Sequence, residues 1–284
     1  HCARGAVPCP PPAPRPQNAG MSTPFPRWRL DDAAPLETLA AQGFVKLSPA
    51  RLAAATGVDA AALAALARHW EGLPPDPHLR DGGRYRRRRH ASLLMDETGQ
   101  RILRRVERPH WQPTDYNALH GGFERWFAPF TEALLAEPAL PALLAGLGRL
   151  CAGMAGRVPR FVEAHAFRID TTDGIGRPTP EGAHRDGVDF VAVLLLARHG
   201  VRGGETRVFE AEGPAGLRFT MAEPGTTLLL DDARVVHETT PLQPEAGHGH
   251  RDTLVITWRF EGFLDPPDGP RPGQGAASDI QHER

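Results

Sequence analysis

The chain of 284 residues contains 13 histidines, so a lone histidine carries little information. One arrangement carries more. His184, Arg185 and Asp186 stand together just before the apolar run Phe190–Leu196, and His237 falls on a later β-rich run. Two imidazoles and one carboxylate on three adjacent corners of an octahedron hold a divalent metal and leave three corners open. Fe(II) bound in that facial arrangement accepts a cosubstrate and dioxygen together. The triplet alone is a weak signal: with 13 His and 17 Asp in 284 residues, chance supplies roughly 0.8 His-x-Asp triplets. A second one occurs, His250-Arg251-Asp252, but only His282 follows it, in a stretch rich in Gly and Pro. Context favours the first.

Arg251 lies 14 residues after His237, at the start of the next β-rich run, with Thr253 on the same strand face. A 2-oxo acid that chelates a metal through its keto and C1 carboxylate groups needs an anchor for its far carboxylate. A guanidinium offers a rigid two-pronged donor for that purpose, and a hydroxyl one pleat along adds a further bond. A salt bridge on the rim of a barrel is the alternative role for Arg251. The order His, Asp, His, Arg favours the clamp. The letters His-Arg-Asp also spell the catalytic-loop triplet of protein kinases, which needs an Asn shortly after it. The only asparagines are Asn18 and Asn117, both upstream, so that reading fails.

The elements that must position these residues are legible in outline. The composition, 40% hydrophobic and 24% charged, is that of a globular protein. With 33 basic and 34 acidic residues the formal charge is -1, so no net field draws the chain to nucleic acid or an anionic membrane. No run of eighteen apolar residues supports a transmembrane helix, and the three cysteines cannot make a disulfide framework. A reducing cytoplasm is the default location. Residues 1–27 read as a disordered leader, with Met21 an ordinary start, and 264–284 as a disordered tail, leaving one domain over 28–263.

Within that domain, 28–157 reads mostly helical and 158–263 as strands. Asp59 is placed to cap a helix through AALAALARHW. Phe123, Trp126, Phe127, Phe130 and Leu134 fall on one helical face interrupted at Pro129, and Leu140, Leu143, Leu144, Leu147 and Cys151 form another stripe. Seven β-rich runs follow: 160–169, 190–196, 206–210, 217–221, 226–230, 235–240 and 251–260. They suggest a sandwich or barrel braced by helices. On the last run, Arg251, Thr253, Val255 and Thr257 share the face that would look into a bore, while Leu254, Ile256 and Trp258 share the other.

The stretches PTPEGAHRDGVDFVAVLLLARHGVRGGETRVFE, LLLDDARVVHETTPL and RDTLVITW, with RYRRRRH, DYNALHGGFERWF and HAFRI upstream, resemble the bacterial 2-oxoglutarate/Fe(II) dioxygenases that hydroxylate free L-amino acids, the L-isoleucine 4-hydroxylase type. The resemblance spans residues 40–260. It implies an α+β fold, a double-stranded β-helix (a jelly-roll or cupin-like barrel) braced by N-terminal helices. It also implies Fe(II), 2-oxoglutarate and O2, with ascorbate supportive, acting on an aliphatic carbon and releasing succinate and CO2. By motif position His184, Asp186 and His237 correspond to the iron ligands and Arg251, beside Thr253, to the arginine that binds the cosubstrate.

Other residues have two readings each. The run Arg84–Arg89 reads as a solvated basic face, or else sends one arginine to a substrate carboxylate. Arg168 shares a face with Val162, Ala164 and Ala166, and is either a substrate anchor or half of an ion pair. Tyr116 and Asn117 are candidates for the mouth of the pocket, His165 is a satisfied core histidine, and Asp231-Asp232 is placed to orient the distal ligand. The partner is a small molecule, with neither nucleic acid nor membrane, and a homo-oligomer is left open. Two rival readings remain: a cupin-like metal barrel without oxygenase activity, against which Arg251 speaks, and an oxygenase for a modified or carrier-bound substrate. A nucleic-acid demethylating oxygenase would need more arginines after the distal histidine, where only Arg259 joins Arg251 before the terminal stretch.

Overall fold

Local signals start and stop the helices where a bracing layer needs them. In the computed structural model, which describes residues 28–266 apart from 31 and 118, the helices are α1 (Pro35–Gln42), α2 (Pro49–Thr56), α3 (Ala60–Ala67), α4 (Glu132–Leu135) and α5 (Ala139–Ala155). Ser48 and Asp59 cap α2 and α3 by accepting the backbone N–H of Arg51 and Ala62, at 3.3 and 2.8 Å. The leader over 1–27 and the tail beyond 266 lie outside the described residues, with Cys2 and Cys9 in the former. Among the described residues no single helix is long and apolar enough to cross a membrane.

Among the described residues twelve strands interleave with these helices: β1 (Phe44–Leu47), β2 (Arg86–Met95), β3 (Ile102–Arg104), β4 (Phe161–Asp170), β5 (Phe190–His199), β6 (Val201–Gly203), β7 (Glu205–Glu210), β8 (Gly216–Thr220), β9 (Thr227–Asp231), β10 (Val235–Thr239), β11 (Leu242–Pro244) and β12 (His250–Arg259). A seven-stranded antiparallel sheet runs β1-β9-β5-β12-β4-β2-β3, and smaller sheets, β10-β7-β8 and β11-β6, complete the barrel. This is the double-stranded β-helix that the resemblance implied. All seven expected β-rich runs are strands.

Two expectations for the first half are corrected. Residues 28–157 are not mostly helical, because β1, β2 and β3 belong to the large sheet. Phe123 to Phe130 form no helix either. His110 and Arg125 pair backbone to backbone at 2.9 and 3.0 Å, Pro129 bridges to His90, and α4 begins only at Glu132 behind the Thr131 cap. The apolar spacing there reflects side chains buried from an extended segment and from α4: Phe130 and Leu134 join the core against α5, Phe127 packs against Arg88, and Trp126 is left 57% exposed.

The outer face of the large sheet packs on α5. Leu140, Leu143, Leu144, Leu147 and Cys151 are buried against Ala164, Ala166, Leu254, Ile256 and Trp258, so the last strand divides its two faces as its alternation predicts. Contact is closest at Gly148, where an added Cβ would lie 2.7 Å from Met95 Sδ and 3.0 Å from Trp258 Nε1. Helix, β2 and β12 are thereby fixed to one another. Overpacking of such a contact costs about 1–3 kcal/mol; Gly148→Val is therefore expected to lower the free energy of unfolding in urea by that much, and an unchanged value would show that α5 does not seat this closely.

Candidate metal centre

The inner face of the barrel is polar. It encloses about 120 Å³, room for small ligands. The first fixed point is a backbone bridge: His184 N–H donates to His237 O at 3.1 Å and His237 N–H donates to His184 O at 3.0 Å. Directly paired residues of antiparallel strands project their side chains from the same face, so the bridge sends both imidazoles into the barrel, ring centroids 4.8 Å apart. Asp186 joins them, its oxygens 3.9 Å from each Nε2. Three donor atoms, one from each residue, lie within 4.8 Å of one another.

The chemistry of this donor set fits a divalent metal. His184 Nδ1 is hydrogen-bonded to Gly182 O at 2.9 Å, which fixes the tautomer that leaves Nε2 free as a ligand. Burial, then the neighbouring His184, holds the His237 pKa down at about 4, so this ring is neutral at physiological pH. Burial opposes protonation of His184 too, but Asp186 and Glu181 outweigh it and leave its pKa raised. The carboxylates thus favour a positive charge where the three donors meet.

The turn that carries Asp186 is held by Asp232. That buried carboxylate accepts three backbone N–H groups, from Asp186, Gly187 and Val188, at 3.0, 2.8 and 3.1 Å. Burial and the charge of Asp186 push its pKa up to about 7. Asp232 therefore orients the first two candidate ligands rather than His237, while Asp231 accepts from Ala233 N–H as an ordinary turn carboxylate. Gly187 is required in this turn: its φ of 76° is left-handed, and a Cβ would sit 2.6 Å from the Tyr116 ring. Tyr116 covers the turn, beneath the Arg185 guanidinium, and does not line the cavity. Asn117 does, and it acts through Gln112. The Gln112 carbonyl accepts from Asn117 Nδ2 at 3.2 Å and Arg125 Nη2 at 2.7 Å, while its amide donates to Asp186 Oδ1 at 3.2 Å.

Arg251 and Thr253 face the same cavity from β12. A bulge beside them, with Leu196 of β5 as the extra residue, shifts the register between Asp252 and Thr253 and aims this end of the strand inward. Arg251 is 3% exposed. Its Nε has no partner among the described residues, and its Nη2 meets only Met221 Sδ, at 3.9 Å. Burial, followed by the nearby Arg198, pulls its pKa down to about 10. A buried cation without a carboxylate is costly, and this one points where an anion would sit.

Arg168 is elsewhere. It lies on the opposite face of β4 and pairs with Asp252 at 2.7 Å and Glu71 at 2.8 Å, which corrects the expectation of a substrate anchor in favour of the ion pair. His250 and Asp252 of the second triplet are likewise spent on the outer face, 3.6 Å apart. The basic run is only half solvated. Arg84 and Arg87 face outward to Asp173 and Asp170, whereas Arg86 and Arg88 enter the cavity beside Arg125, His110 and His165. His165 is satisfied by Arg88 Nη2 at 2.6 Å. Alternation along RYRRRRHAS is the signal that could have revealed this. Gln112, Glu181 and Arg125 lie in loops and carried none.

A second group, His90, His110, Glu163 and His165, also places its donor atoms within 4.8 Å of one another. Its donors are engaged internally: Glu163 accepts from His90 at 3.0 Å and His110 at 3.3 Å. It is a hydrogen-bonded wall of the cavity.

The comparisons with known proteins agree with this geometry. A family model described as 2OG-Fe dioxygenase matches residues 67–257. A solved bsmA homologue from Methylobium petroleophilum PM1 is similar with a TM-score of 0.77 at 53% identity, over 82% of this chain and 95% of that one. IDO from Bacillus thuringiensis is similar with a TM-score of 0.61 at 17% identity, over 80% and 94% of the two chains. TqaL, an Fe(II)/α-ketoglutarate-dependent dioxygenase, reaches 0.60 at 20% identity, over 79% and 85%. At these identities the last two share the fold alone. No curated protein matches the chain. Removing one acceptor oxygen should loosen the ligand turn: Asp232→Asn is expected to weaken metal binding about 10–100-fold in a Co(II) titration, and an unchanged affinity would free the turn from Asp232.

Proposed function

The chain belongs to the 2OG-Fe dioxygenase family, and we propose that His184, Asp186 and His237 hold its Fe(II), that Arg251 and Thr253 bind the far carboxylate of 2-oxoglutarate, and that a free L-amino acid is hydroxylated at an aliphatic carbon. Fe(II), 2-oxoglutarate and O2 are the cofactor and cosubstrates of the family. In the balanced reaction 2-oxoglutarate loses CO2, one oxygen atom of O2 enters succinate, and the other enters the new hydroxyl. The bound metal supplies the activation of dioxygen, which no side chain here can provide.

The observation that carries this reading is the buried, unpaired guanidinium of Arg251 lining the same cavity as the three donors. The protein's own residues do the positioning. The His184–His237 bridge and the Asp232 turn fix the donors before any ligand arrives, and Gln112 steadies the Asp186 carboxylate. Val188, Val193 and Val255 make the remaining wall apolar and keep water from the reacting carbon. The small cavity supports a small substrate. Its charges of both signs, and the motif resemblance to free L-amino acid hydroxylases, support an amino acid.

The test is succinate release by the Fe(II)-loaded protein with 2-oxoglutarate and ascorbate across the twenty free L-amino acids. Stimulation by one or a few with aliphatic carbons is expected; turnover that none of them stimulates would move the substrate to a modified or carrier-bound form. His237→Ala should abolish turnover. Arg251→Ala should raise the 2-oxoglutarate requirement on the order of 100-fold, the usual cost of truncating one partner of a buried charge pair. An unchanged requirement would remove Arg251 as the clamp.

A further inference from the structure

The proposed centre leaves several buried charges unexplained. Arg86, Arg88 and Arg125 are 6%, 4% and 2% exposed, and all three line the same cavity as Arg251, with Arg86 two strands over in the same cross-strand row. Two carboxylates face them. Asp76 accepts from Arg86 at 2.7 Å and lies 3.7 Å from Arg88. Glu163 is shared with His90, His110 and, at 4.0 Å, Arg108. Arg108 has its own partner in Asp265, and of the three cavity guanidiniums Arg86 and Arg88 share Asp76, while Arg125 has no carboxylate within ion-pair distance among the described residues. The Nε atoms of Arg88 and Arg125 are buried without a partner among the described residues. Burial, followed by Arg86, lowers the Arg125 pKa to about 10. Buried guanidinium donors left without a partner are what a ligand carboxylate would occupy.

Glu181 presents the complementary case. Its side chain is 13% exposed, it lines the same cavity, and Oε2 is buried without a partner. Oε1 lies 3.6 Å from His184 Nε2, yet Glu181 is outside the set of mutually close donors. No arginine or lysine reaches it within ion-pair distance among the described residues, although Arg125 feels its charge. A carboxylate oxygen and two guanidinium nitrogens left bare in one cavity are complementary to a zwitterion.

We propose that Glu181 receives the substrate's ammonium group while Arg88 and Arg125 receive its carboxylate, so that the cavity selects free α-amino acids by their charged head. This rests on the free amino acid reading above and assigns the residues that would enforce it. Held at both charges, the amino acid lies beside the centre, since the Glu181 carboxylate is 3.6 Å from His184 Nε2. Glu181 is a substrate-anchoring residue that takes no part in oxygen chemistry. Its carboxylate needs no proton transfer, since the ammonium of an amino acid is charged at neutral pH.

The experiment compares wild type with Glu181→Gln as Fe(II)-loaded protein. The probes are L-isoleucine, or whichever free amino acid stimulates most, its des-amino acid (3-methylpentanoate for isoleucine) and its amide. Succinate release and the visible charge-transfer band of the Fe(II)·2-oxoglutarate complex are followed. Wild type should prefer the amino acid over both analogues by at least about tenfold in kcat/KM, as a site with buried polar groups rejects ligands that leave them unpaired. In Glu181→Gln the band should persist, KM for the amino acid should rise at least about tenfold, and the preference over the des-amino acid should collapse while that over the amide survives. Retention of the wild-type amine preference overturns the assignment. So does loss of the band, which would make Glu181 part of the metal centre. If no free amino acid stimulates the wild type, the free amino acid reading itself fails and takes this assignment with it.

Discussion

The mutual backbone bridge between His184 and His237 is the constraint on which the centre depends. It joins a turn to β10, an edge strand of the three-stranded sheet, and turns a separation of 53 residues in the chain into neighbouring imidazoles. Everything else secures that bridge. Asp232 holds the turn through three N–H bonds, and Asp189 ties the same turn to β12 by accepting from Phe260 N–H at 2.8 Å and donating its own N–H to Trp258 O at 3.1 Å. The strand that supplies Arg251 is thus connected directly to the segment that supplies His184 and Asp186. Pre-set geometry of this kind lets binding energy go to the ligands rather than to ordering the site.

Charge shapes the interior as much as apolar packing does. The outer face of the large sheet is a conventional core against α5, with small residues such as Ala164 and Ala166 admitting the helix. The inner face instead carries buried arginines, histidines and carboxylates in excess of what they satisfy among themselves. Glu163 illustrates the balance. Burial alone would raise its pKa, but hydrogen bonds and charge from His110 and His90 keep it well below the usual carboxylate range. Arg251, Arg88 and Arg125 lack such compensation at their Nε atoms, and leaving a buried donor unpaired costs about 1–3 kcal/mol each. A fold that tolerates this cost in one cavity is arranged to receive anions there.

The sequence showed the apolar half of this design clearly and the polar half poorly. Phe190–His199 announces itself as a continuous apolar run, His250–Arg259 because one face is apolar at period two, and α5 because its leucines recur at helical spacing. The three candidate metal ligands and Arg251 were legible because their order and their placement beside strands limit the alternatives. β2 escaped notice for a physical reason: its inward residues Arg86, Arg88, His90 and Ser92 are buried yet polar, which inverts the usual hydrophobic alternation. The aromatic spacing from Phe123 to Leu134 misled in the opposite direction, since an extended segment pinned at Arg125 and Pro129 can bury the same residues. Gln112 and Glu181 act through loop geometry, which leaves no periodic trace.

The most direct test of the centre is an anaerobic calorimetric titration of 2-oxoglutarate into metal-free and Fe(II)-loaded protein, with glutarate as the control lacking the keto group. If the three donors and Arg251 hold the two ends of one chelated molecule, metal and 2-oxoglutarate must strengthen each other's binding. The expected result is a single site whose affinity for 2-oxoglutarate rises at least about tenfold when Fe(II) is present, with glutarate gaining nothing. Equal affinity with and without the metal, or glutarate binding as well as 2-oxoglutarate, would contradict it.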